Sequence, residues 1–256
     1  MAFFMKGFTF LEVIFSLSLM RKLPDVSRAV PGQGGFGQHL FEGFHFIRQR
    51  RGIFFLISLI AVSAFLSMPY STLMPVFAGE VLAKSAGPVV DYVCHDGPLA
   101  LDCQSPEALP LGALLSTVGI GSLIGALVVA SLPASAHRGR MLTIGNLAFP
   151  LLLLLFSISK SFLFSMGMLL LVGISFVWQN ALANTLLQFA SPDALRGRIM
   201  SVYTMVFQSS MRLGGLQAGL VADWVSAPFS VALGAVLSLG YGLYVAVRVP
   251  EVRKMV

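Results

Sequence analysis

Residues 137–160 read HRGRMLTIGNLAFPLLLLLFSISK. Arg138 and Arg140 stand at the front, and an almost unbroken apolar run from Leu142 to Ile158 follows before Lys160. The run is close to the ~20 residues an α-helix needs to cross the hydrocarbon core of a bilayer. The same unit recurs on both sides, with apolar spans at Phe3–Met20, Ile53–Phe77, Leu109–Leu132, Leu142–Ile158, Phe162–Leu187, Ile199–Val221 and Ala227–Val247. The connections between them alternate in charge. Arg21, Lys22, Arg28, Arg48, Arg50 and Arg51 precede the second span, Arg138 and Arg140 the fourth, and Arg196 and Arg198 the sixth, while Arg248, Arg253 and Lys254 follow the last. These are 13 of the 17 Lys+Arg residues, and all fall on one side if every span crosses. Because Lys and Arg stay on the cytoplasmic face, the alternation predicts a multi-pass membrane protein with its C-terminus inside and its N-terminus outside.

Composition agrees. Of the 256 residues, 56% are hydrophobic and 11% charged, where a soluble domain carries about 25% charged residues. Lipid is therefore the solvent for much of the chain, and the expected fold is an all-α membrane helical bundle of about seven transmembrane helices. The net charge of +6 is spread over short connections rather than gathered on one face. It reads as an orientation signal, with the lipid bilayer as partner and no nucleic acid. The expected organisation is a first transmembrane helix at 1–22, a cytoplasmic linker at 23–52, a six-helix bundle at 53–247 with an extracytoplasmic loop at 78–108, and a cytoplasmic tail at 248–256.

The two cysteines, Cys94 and Cys103, both lie in that loop, beside Glu80, Asp91, Asp96, Asp102 and Glu107. An oxidising compartment permits a Cys94–Cys103 disulfide, the alternative being two free thiols. Cys94, His95 and Cys103 fit no common zinc spacing, so no metal is expected. In the linker, Leu40, Phe41, Phe44 and Ile47 recur at helical spacing, with Gln38, Glu42, His45 and Gln49 on other faces. That pattern predicts an amphipathic helix in the membrane interface, ending at Arg48, Arg50 and Arg51.

Several helices carry marks of close contact or bending. Gly121 with Gly125, and Gly215 with Gly219, are small-residue pairs four apart. Pro69 and Pro75 predict a kink or break in the second span. Ser191-Pro192-Asp193 reads as a helix start, with a capping hydroxyl, proline in the first turn and an acid at the positive end of the dipole.

Arg212 lies near the middle of the sixth span, where an arginine costs about 2.5–3.5 kcal/mol on translocon scales. Thr204 and Gln208 precede it at four-residue steps on the same face. The fifth span carries a second row, Asn180, Asn184 and Gln188, with Trp178 and Gln179 beside it. Two polar rows on neighbouring helices predict a polar cleft, a surface facing a small-molecule substrate or an anion; the alternative is interhelical hydrogen bonding. Catalysis is not signalled. His39, His45, His95 and His137 all lie in connections, and no metalloprotease, serine-hydrolase or phosphate-loop motif occurs. No cofactor is implied, and the spans from Ile53 onward lack a mid-membrane carboxylate. Lys6-Gly7-Phe8-Thr9-Phe10-Leu11-Glu12 resembles a type IV prepilin cleavage motif, but six further apolar spans contradict a pilin, and Glu12 reads as an acid within an ordinary membrane helix.

Pro192-Asp193-Ala194-Leu195-Arg196-Gly197-Arg198-Ile199-Met200-Ser201-Val202-Tyr203 resembles the penultimate cytoplasmic connection of major facilitator superfamily transporters, in the branch containing the enterobactin exporter. Phe41-Glu42-Gly43-Phe44-His45-Phe46-Ile47-Arg48 is similar to the segment before that branch's seventh helix, and Met74-Pro75-Val76-Phe77-Ala78 to that helix's end. His137-Arg138-Gly139-Arg140 is similar to the tail of the superfamily's basic loop motif, without its usual aspartate. The resemblance implies that the chain matches family helices six to twelve, the C-terminal portion of a twelve-helix transporter, with the cysteine-bearing loop as an insertion. It implies secondary active transport, specifically efflux of a small organic molecule such as a siderophore or drug. A second transporter half, from a homodimer or a separate N-terminal chain, would complete the path. The rival expectation is a non-transporting remnant or membrane scaffold.

Overall fold

The computed structural model describes residues 36–96, 108–133 and 137–253. Phe3–Met20, the prepilin-like motif, most of the linker and Cys103 lie outside the described residues. The chain divides into two compact units, Met1–His39 and Leu40–Val256, and the second is described here. No strand occurs among the described residues. The helices are α1 (Phe36–Gln49), α2 (Arg51–Leu66), α3 (Tyr70–Val76), α4 (Ala83–Asp91), α5 (Ala108–Ala130), α6 (Arg138–Ser157), α7 (Phe162–Ala190), α8 (Asp193–Trp224), α9 (Ala227–Arg248) and α10 (Pro250–Arg253).

Five stretches are long and apolar enough to cross a membrane: Arg51–Val81, Ala108–Ala130, Arg138–Ser157, Phe162–Ala190 and Ala227–Arg248. With them the chain is an all-α polytopic bundle. The sixth long helix, α8, is packed against α2 and α9 but falls short in apolarity, because its middle carries Ser201, Thr204, Gln208, Ser209 and Arg212. Consecutive long helices alternate in direction, and their buried side chains form two clusters. One joins Ile47, Ile53, Leu142, Leu187, Ile199, Val245 and Val252 at the end bearing Arg138, Arg196 and Arg248, called the basic end below. The other joins Tyr70, Phe77, Phe149, Phe156, Phe162 and Ala227 at the far end.

Close backbone contact organises the bundle. A Cβ at Gly121 would collide with the Leu170 carbonyl, and one at Gly173 with the Val118 carbonyl, so α5 and α7 touch without side chains between them. Gly125 continues the seam, its Cβ position 2.9 Å from the Ile174 oxygen. The expected second pair behaves differently. A Cβ at Gly219 would meet nothing within 4 Å, and one at Gly215 meets only the Thr72 methyl at 3.7 Å. The tight contact on that helix is instead Gly214, against the Phe65 carbonyl, and α9 adds Gly234, against the Leu66 carbonyl.

Those two carbonyls end α2. Residues 67–69 form a turn before α3 begins at Tyr70. Pro69 has no N–H to offer the Phe65 oxygen, so the helix stops there. Gly214 and Gly234 lie directly against the freed oxygens, where any Cβ would collide. Beyond α3 the chain stays helical where a loop was expected. Residues Phe77–Val81 form a π-helical turn, α4 follows, and a second π turn runs Tyr92–Asp96. The cause is burial: Leu82 and Ala86 pack into the far-end cluster. The Ser85 hydroxyl accepts the first N–H of α7, from Phe162 at 3.1 Å, and donates to the Leu82 carbonyl at 3.0 Å. Ser85 thus caps a helix 77 residues away, adding a polar tie to that burial.

Candidate functional site

At 100° per residue, α8 shows three faces. Ile199, Val202, Tyr203, Gly214 and Ala218 are buried against the bundle. Ser201, Thr204, Gln208 and Arg212 lie roughly opposite and are exposed. Leu213, Leu216 and Leu220 form an exposed apolar flank between them, suited to lipid. The polar face lines an open groove of about 610 Å³ formed by Met200, Ser201, Thr204, Met205, Gln208 and Ser209. Arg212 stands one turn beyond it. The stripe is continued by Thr72 of α3, which approaches Gly215 and is itself exposed. Thr204 and Ser201 donate back to the carbonyls of Met200 and Gly197 at 2.9 Å. Their lone pairs stay available, and among the described residues Gln208 and Arg212 have no partner. Every polar group exposed at membrane depth must meet water, a ligand or another polypeptide, since lipid offers no hydrogen bonds.

The row on α7 is different. Asn180 donates to the Phe176 carbonyl at 2.9 Å, and Gln188 donates to Asn184 Oδ1 at 2.7 Å. These bonds stay within the helix. The two rows do not form one cleft, because α8 packs on α2 and α9 and touches α7 only slightly, with α2 packed against both. Asn180 and Asn184 are half-buried, and Gln188 is exposed near the basic end.

The buried amide is Gln179. Its Nε2 donates to Asn146 Oδ1 at 3.0 Å, and its Oε1 accepts from Ser63 at 3.3 Å. This cluster ties α2, α6 and α7 together in the core. Asn146 also abuts α9, since a Cβ on Gly242 would lie 2.6 Å from its Nδ2. Ser58 and Tyr241 make a second polar tie, α2 to α9, at 2.7 Å. Asn146 was legible as a lone amide inside the Leu142–Ile158 run, and Gln179 as the neighbour of the Asn180 row. The side facing the core was not legible, because apolar residues occupy most positions of α7 on every face.

At the basic end, the motif residues brace the end of α7. Arg196 pairs with Asp193 at 2.7 Å, and its Nε donates to the Gln188 carbonyl at 3.3 Å. A cation on the last carbonyls of a helix meets the negative end of its dipole. The Arg138 guanidinium lies over the Phe189 ring, 5.4 Å from its centre. Ser191 does not cap α8 as its position suggested; it ends α7, and its hydroxyl donates to the Leu187 carbonyl at 2.6 Å. A hydroxyl following a helix can fold back four residues as readily as reach forward, and Pro192 takes the N-cap position of α8. Gly139 is buried, whereas Arg140 and Gly197 are exposed. A Cβ on Gly43 would lie 3.2 Å from the Arg198 carbonyl and 3.3 Å from Val202. With Ile47, which is 3% exposed, Gly43 therefore seats α1 on the start of α8. Phe44 projects outward. Cys94 is disulfide-bonded; Cys103, its expected partner, lies outside the described residues.

Comparison with known proteins adds one match. A family model described as transmembrane secretion effector covers residues 98–255, which takes in α5 to α10. No curated protein matches the chain, and no solved structure does.

Proposed function

This chain belongs to the transmembrane secretion effector family of major facilitator transporters, and from that premise we propose that it exports a small organic molecule, as a siderophore or drug exporter of the enterobactin-exporter type does. In this reading the bundle is a half-transporter matching family helices six to twelve. It rocks against a second helical unit around a path bordered by α8 and the α2–α3 joint. Ser201, Thr204, Gln208 and Arg212 contact the substrate, while Asn180, Asn184 and Gln188 stiffen α7 at the path's edge. Arg196, Asp193 and Arg138 hold the end of α7, with Arg140 and Arg198 at the inner membrane surface. The inner membrane, a cytoplasmic C-terminus and a Cys94–Cys103 bridge outside belong to the same proposal. Alternation of basic connections supports the orientation.

One observation carries the reading. The most polar helix of the bundle turns its polar face, with an arginine, away from the bundle's own core. A remnant without a partner would turn that face to lipid, at a cost. A path that must stay wet needs it. The test is efflux from proteoliposomes holding the full chain, alone and with candidate second units. Transport that falls at least tenfold in Arg212→Leu, at equal insertion, supports the reading. Flux unaffected by Arg212→Leu, or absent under every pairing, returns the chain to the scaffold class.

A further inference from the structure

Resting on the transport reading, we propose that the α8 groove is selective for amphiphilic organic anions, with the acid on Arg212 and an apolar body between Met200 and Met205. Charge comes first. The described membrane helices α2, α3, α5, α6, α7 and α9 contain no aspartate or glutamate. On α8 the acids are Asp193 and Asp223, 19 and 11 residues from Arg212, or about 28 and 16 Å along the axis at ~1.5 Å per residue. Asp193 is already paired with Arg196. The stretch Arg51–Val81 adds one acid, Glu80, in the π turn near its far end, and among the described residues no acid pairs with Arg212. Arg212 is thus an unpaired cation at membrane depth, and its occupant must supply the counter-charge. A guanidinium meets a carboxylate or sulfonate through two parallel hydrogen bonds, which a neutral or cationic ligand cannot return.

Shape and chemistry of the groove fix the rest of the ligand. The groove is shallow and open, lined by residues of α8 alone, so it suits a flat body lying along the helix rather than one enclosed by it. Its walls are two unbranched thioether side chains, which adapt to flat or irregular apolar bodies. Gln208 and Ser209, unpartnered among the described residues, add donors and acceptors one turn from Arg212. The groove therefore offers a cationic end, a polar middle and a soft apolar wall in one line along a single helix. A cation of the same shape would face Arg212 and find no acid.

The experiment uses the full chain in lipid nanodiscs and three radiolabelled probes sharing one ring system: 1-naphthoate, 1-naphthalenemethanol and 1-naphthylmethylammonium. The anion is expected to bind at least tenfold more tightly than the alcohol, and the ammonium most weakly. Arg212→Gln is expected to remove the anion's advantage while leaving the alcohol within about twofold, and Arg212→Lys to retain only part of it, since an ammonium keeps the charge but not the paired hydrogen bonds. Met205→Ala is expected to weaken anion and alcohol alike. Equal binding of anion and ammonium, anion binding unchanged in Arg212→Gln, or no binding of any probe overturns the proposal. So does native mass spectrometry in which Arg212→Gln dissociates a complex, because Arg212 would then pair with a polypeptide carboxylate. Flux of the alcohol without preference for the anion overturns anion selectivity and keeps transport. An Arg212-dependent anion preference without flux keeps the site and removes the transport reading.

Discussion

Gln179 on α7 and Gln208 on α8 are the same side chain on two long helices of one bundle, in opposite circumstances. Gln179 is fully buried and uses both ends of its amide, to Asn146 and Ser63. Gln208 is exposed in a groove and, among the described residues, uses neither. A polar residue in a membrane protein is thus not informative by its presence alone. A satisfied amide holds helices together, and an unsatisfied one on a shared face with an arginine is available to something else.

The sharpest way to break this contrast is Gln179→Leu. Asn146 and Ser63 then stay buried without partners, at a cost of about 1–3 kcal/mol, read as a fall in melting temperature in detergent. Asn146→Leu should fall similarly, and the double variant should cost less than the two singles added, because both remove one bond. Next comes Asn180→Leu, which deletes a bond to its own helix and should cost about 0.5 kcal/mol. Arg196→Gln should follow at about 0.2–1 kcal/mol, since its pair with Asp193 is exposed; faster proteolysis near Ala190 would report the loosened end of α7. Gln208→Leu should be smallest, within about 0.5 kcal/mol of the parent, while still lowering efflux. If Gln208→Leu destabilises as much as Gln179→Leu, the contrast is wrong and the α8 stripe is structural.

Much of this was legible in the sequence. Apolar spans and their arginine-bearing connections gave the long helices, and Pro69 marked the break after α2. Arg212, Gln208 and Thr204 were readable as one face of one helix because helical periodicity requires only their spacing. What spacing does not carry is the direction of that face. It therefore placed the α7 and α8 rows in one cleft, although α2 packs against both helices. The tight glycine on α8 is Gly214, one residue from the expected Gly215, since a four-residue interval names a pair without saying which side of the helix has a neighbour. The helical segment after α3 escaped notice because it rests on contacts distant in sequence, the burial of Leu82 and Ala86 and the bond from Ser85 to a helix start 77 residues later, which no local pattern encodes.

Gly121, Gly173, Gly214 and Gly234 each face a carbonyl oxygen where any side chain would begin. These positions set the distance between backbones, and nothing about that distance depends on which molecule is carried. On the transport proposal, the α8 groove can therefore be rewritten residue by residue to change the cargo. Four hydrogens elsewhere fix the frame in which every such rewriting must work.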